Sequence, residues 1–201
     1  MRPRVLLVAA ERRELQFVPR REGWEMVANG PGPRLAAAVV KDAEAIVSVG
    51  ICGGLDASLR VGDVVVGSAV NGVGVGQPKS AGRHVAGPVA SIDRVADAAE
   101  KRRLAASGAV VVEMEAAGVL EAARQLGRPF YCVKAVSDSV DEDFVLDLNA
   151  ARDDAGRFST AKILMQAAKR PLVLVPELLR LRRNSEAAAK ALGEFLGNCS
   201  F

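Results

Sequence analysis

An α/β sandwich with a mostly parallel central sheet is the fold class this chain predicts. Strand-like apolar runs alternate with helix-like segments along its whole length. Acidic residues fall where two of those strands end, which is where such sheets bind ligands. No internal repeat or linker divides the 201 residues, a length that suits one domain, 1–201, with a substantial core.

The run at residues 5–10 is too short for a secretory leader and ends in Glu11-Arg12-Arg13-Glu14, so it reads as a first buried strand leading into a helical start. A short strand at 24–27 follows, and Pro31-Gly32-Pro33 opens a helix through Leu35 to Lys41. Residues 45–50 and 63–70 are the next strands. Asn71-Gly72 signals a turn, and the Gly-rich stretch 72–88 lacks periodicity and reads as a loop. A polar, Ala-rich helix is expected over 94–107. Three valines at 110–112 make a strand that ends at Glu113, and Glu115 sits at the turn into a helix with Leu120, Ala123 and Leu126 on one face. Gly127 stops that helix and Pro129 bars its continuation. Residues 130–136 form another strand, with Asp138 just past its end. The acidic segment 139–154 is irregular, and helices at 160–169 and 176–196 finish the chain.

Composition excludes several function classes. Lys and Arg number 27 against 24 Asp and Glu, and no basic stripe is interleaved with aromatics, so nucleic acid is not an expected partner. Cys52, Cys132 and Cys199 are scattered without Cys-x-x-Cys spacing, which argues against zinc or a disulfide framework and for a reducing, cytoplasmic setting. No run is long and apolar enough to cross a bilayer. His84 is the only histidine and has no identifiable nucleophile partner, so a catalytic triad has no support. The acids Asp138, Asp141, Glu142 and Asp143 read as a solvated cluster, and no metal is expected. The run Gly72-Val73-Gly74-Val75-Gly76 opens no βαβ unit and is not a dinucleotide site.

Three blocks carry chemistry. The first is Val112-Glu113-Met114-Glu115-Ala116-Ala117 with Ser137-Asp138 one helix and one strand later. The second is Val49-Gly50-Ile51-Cys52-Gly53-Gly54-Leu55 followed by Leu59-Arg60-Val61-Gly62-Asp63-Val64-Val65-Val66. The third is the apolar run from Val5 with Glu11-Arg12-Arg13-Glu14-Leu15 behind it. Gly50, Gly53 and Gly54 suit a tight turn whose exposed N–H groups let an anion or a ribose oxygen approach. Arg12 and Arg13 are candidates to neutralise a phosphate beside that turn.

In this order the blocks resemble the purine nucleoside phosphorylase and nucleosidase superfamily, over most of residues 4–70 and 108–145. The resemblance implies a three-layer sandwich around a mixed, mostly parallel sheet, and cleavage of the N-glycosidic bond of a purine-type nucleoside. Asp138 would protonate the base, with Ser137 orienting it. Glu115 would accept hydrogen bonds from the ribose hydroxyls, with Met114 beneath the sugar and Glu113 beside it. Glu14 falls where nucleosidases carry the Glu that activates water.

Two departures refine the expectation. Ile51 stands where simple phosphorylases and nucleosidases carry a serine. No Phe, Tyr or Trp lies between Val70 and Glu113, which leaves Phe144 or Phe158 to stack on a base. Both features resemble the hopanoid-associated phosphorylase branch, which is implicated in releasing adenine from adenosylhopane. On that resemblance the expected reaction is phosphorolysis, with inorganic phosphate as co-substrate and no cofactor. Hydrolysis with Glu14 activating water is the alternative, and a catalytically silent nucleoside-binding protein is the reading from another class. The resemblance also implies a homo-oligomer. The apolar-basic segment 170–183 is expected to sit in a subunit interface, or else to touch a membrane surface.

Overall fold

The computed structural model describes residues 4–201. Strand β1 (Val5–Ala9) is buried along its whole length, as an unbroken apolar run requires of a strand covered on both faces. A 3-10 turn (Arg12–Leu15) leads to β2 (Trp24–Ala28), α1 (Pro33–Ala37), β3 (Ala45–Gly54) and β4 (Val64–Val70). Two short strands, β5 (Val73–Gly74) and β6 (Lys79–Ser80), precede β7 (Val85–Ser91), α2 (Ala98–Ala106) and β8 (Val111–Glu113). The chain ends in α3 (Ala116–Gln125), β9 (Phe130–Asp138), α4 (Thr160–Lys169), α5 (Pro171–Leu196) and β10 (Cys199–Ser200).

The main sheet runs β2-β1-β3-β8-β7-β4-β5, and β9 pairs with both β3 and β4. The pairs β1–β2, β1–β3, β3–β9, β4–β7 and β7–β8 are parallel, whereas β3–β8, β4–β9 and β4–β5 are antiparallel. The sheet is therefore mixed and mostly parallel. Its strands β3, β9, β4, β7 and β8 pair in a closed ring. Side chains alternate across the sheet with a period of two. Leu6, Val8, Ile46 and Cys132 share a cluster with Ala36 of α1 and with Ala116, Val119 and Ala123 of α3. Val5, Leu7, Val47, Val49 and Val133 share another with Ala188, Leu192, Phe195 and Leu196 of α5. The result is the expected three-layer sandwich.

Several elements differ from expectation. The Gly50–Gly54 segment is strand rather than turn: β3 continues through it, and Gly53 and Gly54 pair with Val112 and Val111. Bare glycine makes this possible, since a Cβ on Gly53 would lie 2.9 Å from Asp138 Oδ2 and 3.2 Å from Val112. The 72–88 stretch holds the start of β7, whose Gly and Pro residues hide the alternation that marks a strand; β4 and β8 on either side hold it in place. Finally, α1 ends at Ala37, while α5 begins at Pro171 and runs through Pro176. Pro176 removes one N–H from the ladder, and the carbonyl four residues back belongs to Leu172, which is 91% exposed and open to water.

Candidate active site

The ends of β8 and β9, the middle of β3 and the 3-10 turn after β1 converge on one place. Glu113 is the last residue of β8, and its carboxylate accepts hydrogen bonds from the N–H of Glu115 (3.0 Å) and of Ala116 (2.9 and 3.1 Å). It thereby satisfies donors that the first turn of α3 would leave unpaired. Its other partner is Lys134 of β9, whose ammonium lies 2.7 Å from Glu113 and 3.4 Å from Glu115. Glu113 does not face solvent; it is the buried anchor of the Glu115 backbone. Glu115 in turn accepts the N–H of Gly32 at 3.2 Å.

Glu14 is turned inward by the 3-10 turn, where its Oε2 accepts the N–H of Ala10 (3.1 Å) and of Glu11 (3.3 Å). Gly50, at φ 137°, gives it room, because a Cβ there would lie 2.8 Å from Glu14 Oε2. Glu113 and Glu115 thus share one buried ammonium, Glu14 lies within reach of its charge, and the three carboxyls titrate apart. Burial raises all three. At Glu113 the Lys134 charge and the hydrogen bonds outweigh burial and hold the carboxyl below its usual range. Glu115 stays raised, by burial first, with the Glu113 charge adding to it and Lys134 opposing. Glu14 is pushed up to about 8, by burial first and then by Glu115. Lys134 is raised because the Glu113 and Glu115 charges outweigh its own burial.

Asp138, the last residue of β9, is held separately. The Ser137 hydroxyl lies 2.7 Å from its Oδ1 and 3.2 Å from the Cys52 carbonyl. Lys101 of α2 lies 2.5 Å from its Oδ2, and that ammonium also donates to the carbonyls of Ser139 (2.8 Å) and Glu142 (3.0 Å).

A cavity of about 430 Å³ opens above these groups. Arg13, Glu14, Gly53, Glu113, Met114, Glu115, Ser137 and Asp138 line it, together with Ile51 and Lys101. The rest of the wall is largely apolar: Phe144, Leu146, Leu148, Phe158, Ile163, Leu178 and Leu181. Both aromatic residues named from sequence as stand-ins for the missing stacking group are therefore in the wall. Gly50 lies behind Glu14 rather than on the surface of the cavity, and Arg12 is exposed and outside the wall. Arg13 is already paired with Glu11 at 2.9 Å. His84 packs against Phe195, away from the cavity. No group of three or more His, Cys, Asp or Glu suited to a metal ion occurs among the described residues.

Two lysines escaped the sequence reading. Lys134 carried a signal: it is a lone cation in an apolar strand, four residues from Asp138 and so on the same face by strand parity. Lys101 carried none, since Arg102 and Arg103 beside it are the same residue class on the same polar helix.

A family model described as the phosphorylase superfamily matches residues 77–179, which is 103 of the 201 residues. Among solved structures the chain is similar to a Helicobacter pylori 5′-methylthioadenosine/S-adenosylhomocysteine nucleosidase complex, with TM-score 0.65 and 14% identity over 98% of this chain and 97% of that one. It is similar to the same degree to the futalosine hydrolase of Helicobacter pylori, again with TM-score 0.65, 14% identity, and 98% and 97% coverage. An Arabidopsis thaliana 5′-methylthioadenosine nucleosidase matches with TM-score 0.62 and 17% identity over 96% of this chain and 93% of that one. At these identities the likeness is one of fold.

Proposed function

The chain belongs to the phosphorylase superfamily, and we propose that within it the protein hydrolyses the N-glycosidic bond of an adenine-type nucleoside. The observation that carries this reading is that Glu14, Glu115 and Asp138 line one cavity, each held by a different set of partners. In the reaction, the bond between the sugar C1′ and the base breaks and its electron pair leaves with the base. Asp138 donates a proton to a ring nitrogen, so that the base leaves neutral. Glu115 accepts hydrogen bonds from the ribose hydroxyls and faces the positive charge that develops on the sugar. A water molecule bonds to C1′ and gives a proton to Glu14, and solvent carries that proton back to Asp138. Phe144 or Phe158 offers the base a face to stack on, and Met114 an apolar floor for the sugar. No cofactor takes part.

Water rather than phosphate is favoured by charge. A phosphate dianion needs a cation to neutralise it, and of the two arginines the sequence offered for that role Arg13 is already paired with Glu11 and Arg12 lies outside the wall. Phosphorolysis is the second reading, and Arg13 in the cavity wall is what favours it. The apolar wall built by α4, α5 and the segment before them suits an apolar 5′ substituent, including the lipid tail of an adenosylhopane-like nucleoside.

Chromatographic measurement of free-base release tests this, with adenosine, inosine, methylthioadenosine and detergent-solubilised adenosylhopane, each with and without phosphate. Adenine release that is indifferent to phosphate is the expected result. Release only with phosphate would make the enzyme a phosphorylase. No release from any of the four, with nucleosides still raising the melting temperature, would make the protein a binder.

A further inference from the structure

We propose that Lys101 is the positioning residue for Asp138, holding both that carboxylate and the loop behind it in the geometry from which the base is protonated. This rests on the glycosidic-cleavage reading and adds a residue to it. Lys101 projects from α2, which is capped at its start by the Asp97 side chain accepting the N–H of Glu100 at 2.8 Å. The lysine is 1% exposed, in a helix whose mean hydropathy is polar and whose other cations lie in solvent. A buried ammonium without partners is strongly disfavoured, so what this one touches explains why it is there. Its three N–H groups have three acceptors: Asp138 Oδ2, the Ser139 carbonyl and the Glu142 carbonyl. The Phe144 ring lies 5.3 Å away on another side.

Those contacts do two things for the reaction. They fix the rotation of the Asp138 carboxyl, with Oδ2 against Lys101 and Oδ1 against Ser137. They also gather the segment from Ser139 to Phe144 over the cavity, and an ion pair from Glu142 to Arg180 continues the tether to α5. When Asp138 gives its proton to the base and the glycosidic electron pair leaves with that base, the carboxylate left behind already faces a cation. Interactions that strengthen as charge develops lower the barrier, whereas those equal before and after do not. Gly53 keeps the place open, because a Cβ there would lie 3.4 Å from Lys101 Cε as well as 2.9 Å from Asp138.

The test compares two leaving groups in the full-length chain. Adenine must be protonated to leave, whereas nitrophenolate leaves from a nitrophenyl riboside without an acid. Lys101→Met is expected to slow adenine release by about 100-fold, the scale of general acid catalysis, with nitrophenyl riboside cleavage within about threefold of wild type. Lys101→Arg is expected to recover part of the loss. In an Asp138→Asn background, Lys101→Met should add less than about twofold, since residues acting through one another are not additive. Equal losses on both substrates, or additive losses with Asp138→Asn, would reduce Lys101 to a structural pillar and overturn the proposal. Wild-type protein that cleaves the riboside but releases no base from any nucleoside would instead overturn the N-glycosidic, nucleoside-cleaving reading beneath it.

Discussion

Burial and the neighbouring Glu115 charge push the Glu14 carboxyl up to about 8, from 4.5 in the unfolded chain. Between those values the folded protein holds a proton that the unfolded chain has released, so stability falls as pH rises through that window. As a base, the same group is ready only once ionised, so hydrolysis should rise toward about pH 8 before it levels. Glu14→Gln is therefore expected to abolish turnover. Relative to the wild type, it should also gain melting temperature steadily from pH 5 to pH 8, the window set by the raised carboxyl. Parallel melting curves in calorimetry across that range would show that Glu14 is not held protonated. The sequence singled out Glu115 and Asp138 by their place at strand ends and Glu14 by the resemblance to nucleosidases, and all three line one cavity. Lys101 was not singled out, because three consecutive cations on one helix, Lys101, Arg102 and Arg103, do not say which one turns inward.

At the scale of elements, small residues decide how closely the layers approach. Gly118 of α3 lies against Pro33 of α1, and a Cβ there would run into the Pro33 carbonyl group. Because backbone rather than a flexible side chain blocks the space, Gly118→Ala is expected to cost about 2 kcal/mol, or roughly 4–8 °C in melting temperature. A change of less than about a degree would mean that α1 can slide away freely. Most elements were visible from apolar runs bounded by Gly and Pro. The two that were misread share one cause: β7 and the far half of β3 owe their strand state to partners distant in sequence, and their glycines erase the local pattern. The same glycines of β3 leave space for Glu14 and Asp138, so the least strand-like sequence borders the site.

For the whole molecule, the layer order followed from the alternation of strands and helices, but the closed ring of β3, β9, β4, β7 and β8 rests on long-range pairing that no local signal encodes. No helix among the described residues is long and apolar enough to cross a membrane. Helices α4 and α5 leave Leu164, Met165, Leu172 and Leu179 more than half exposed. The homo-oligomer that the family resemblance implies would cover this face. On that basis Leu172→Asp with Leu179→Asp should convert the species seen by light scattering into a monomer without loss of fold. A wild-type monomer that sediments with anionic vesicles would assign the face to a lipid surface instead.

The most direct measurement is a crystal structure with a non-cleavable adenine nucleoside analogue bound. The expected result is a ring nitrogen of the base within about 3 Å of Asp138, with Lys101 still on the far oxygen, and the ribose hydroxyls at the same range from Glu115. A water molecule held by Glu14 is expected on the opposite face of the sugar. An analogue bound with its base away from Asp138, or a sugar with no contact to Glu115, would contradict the assignment of this cavity as the catalytic site.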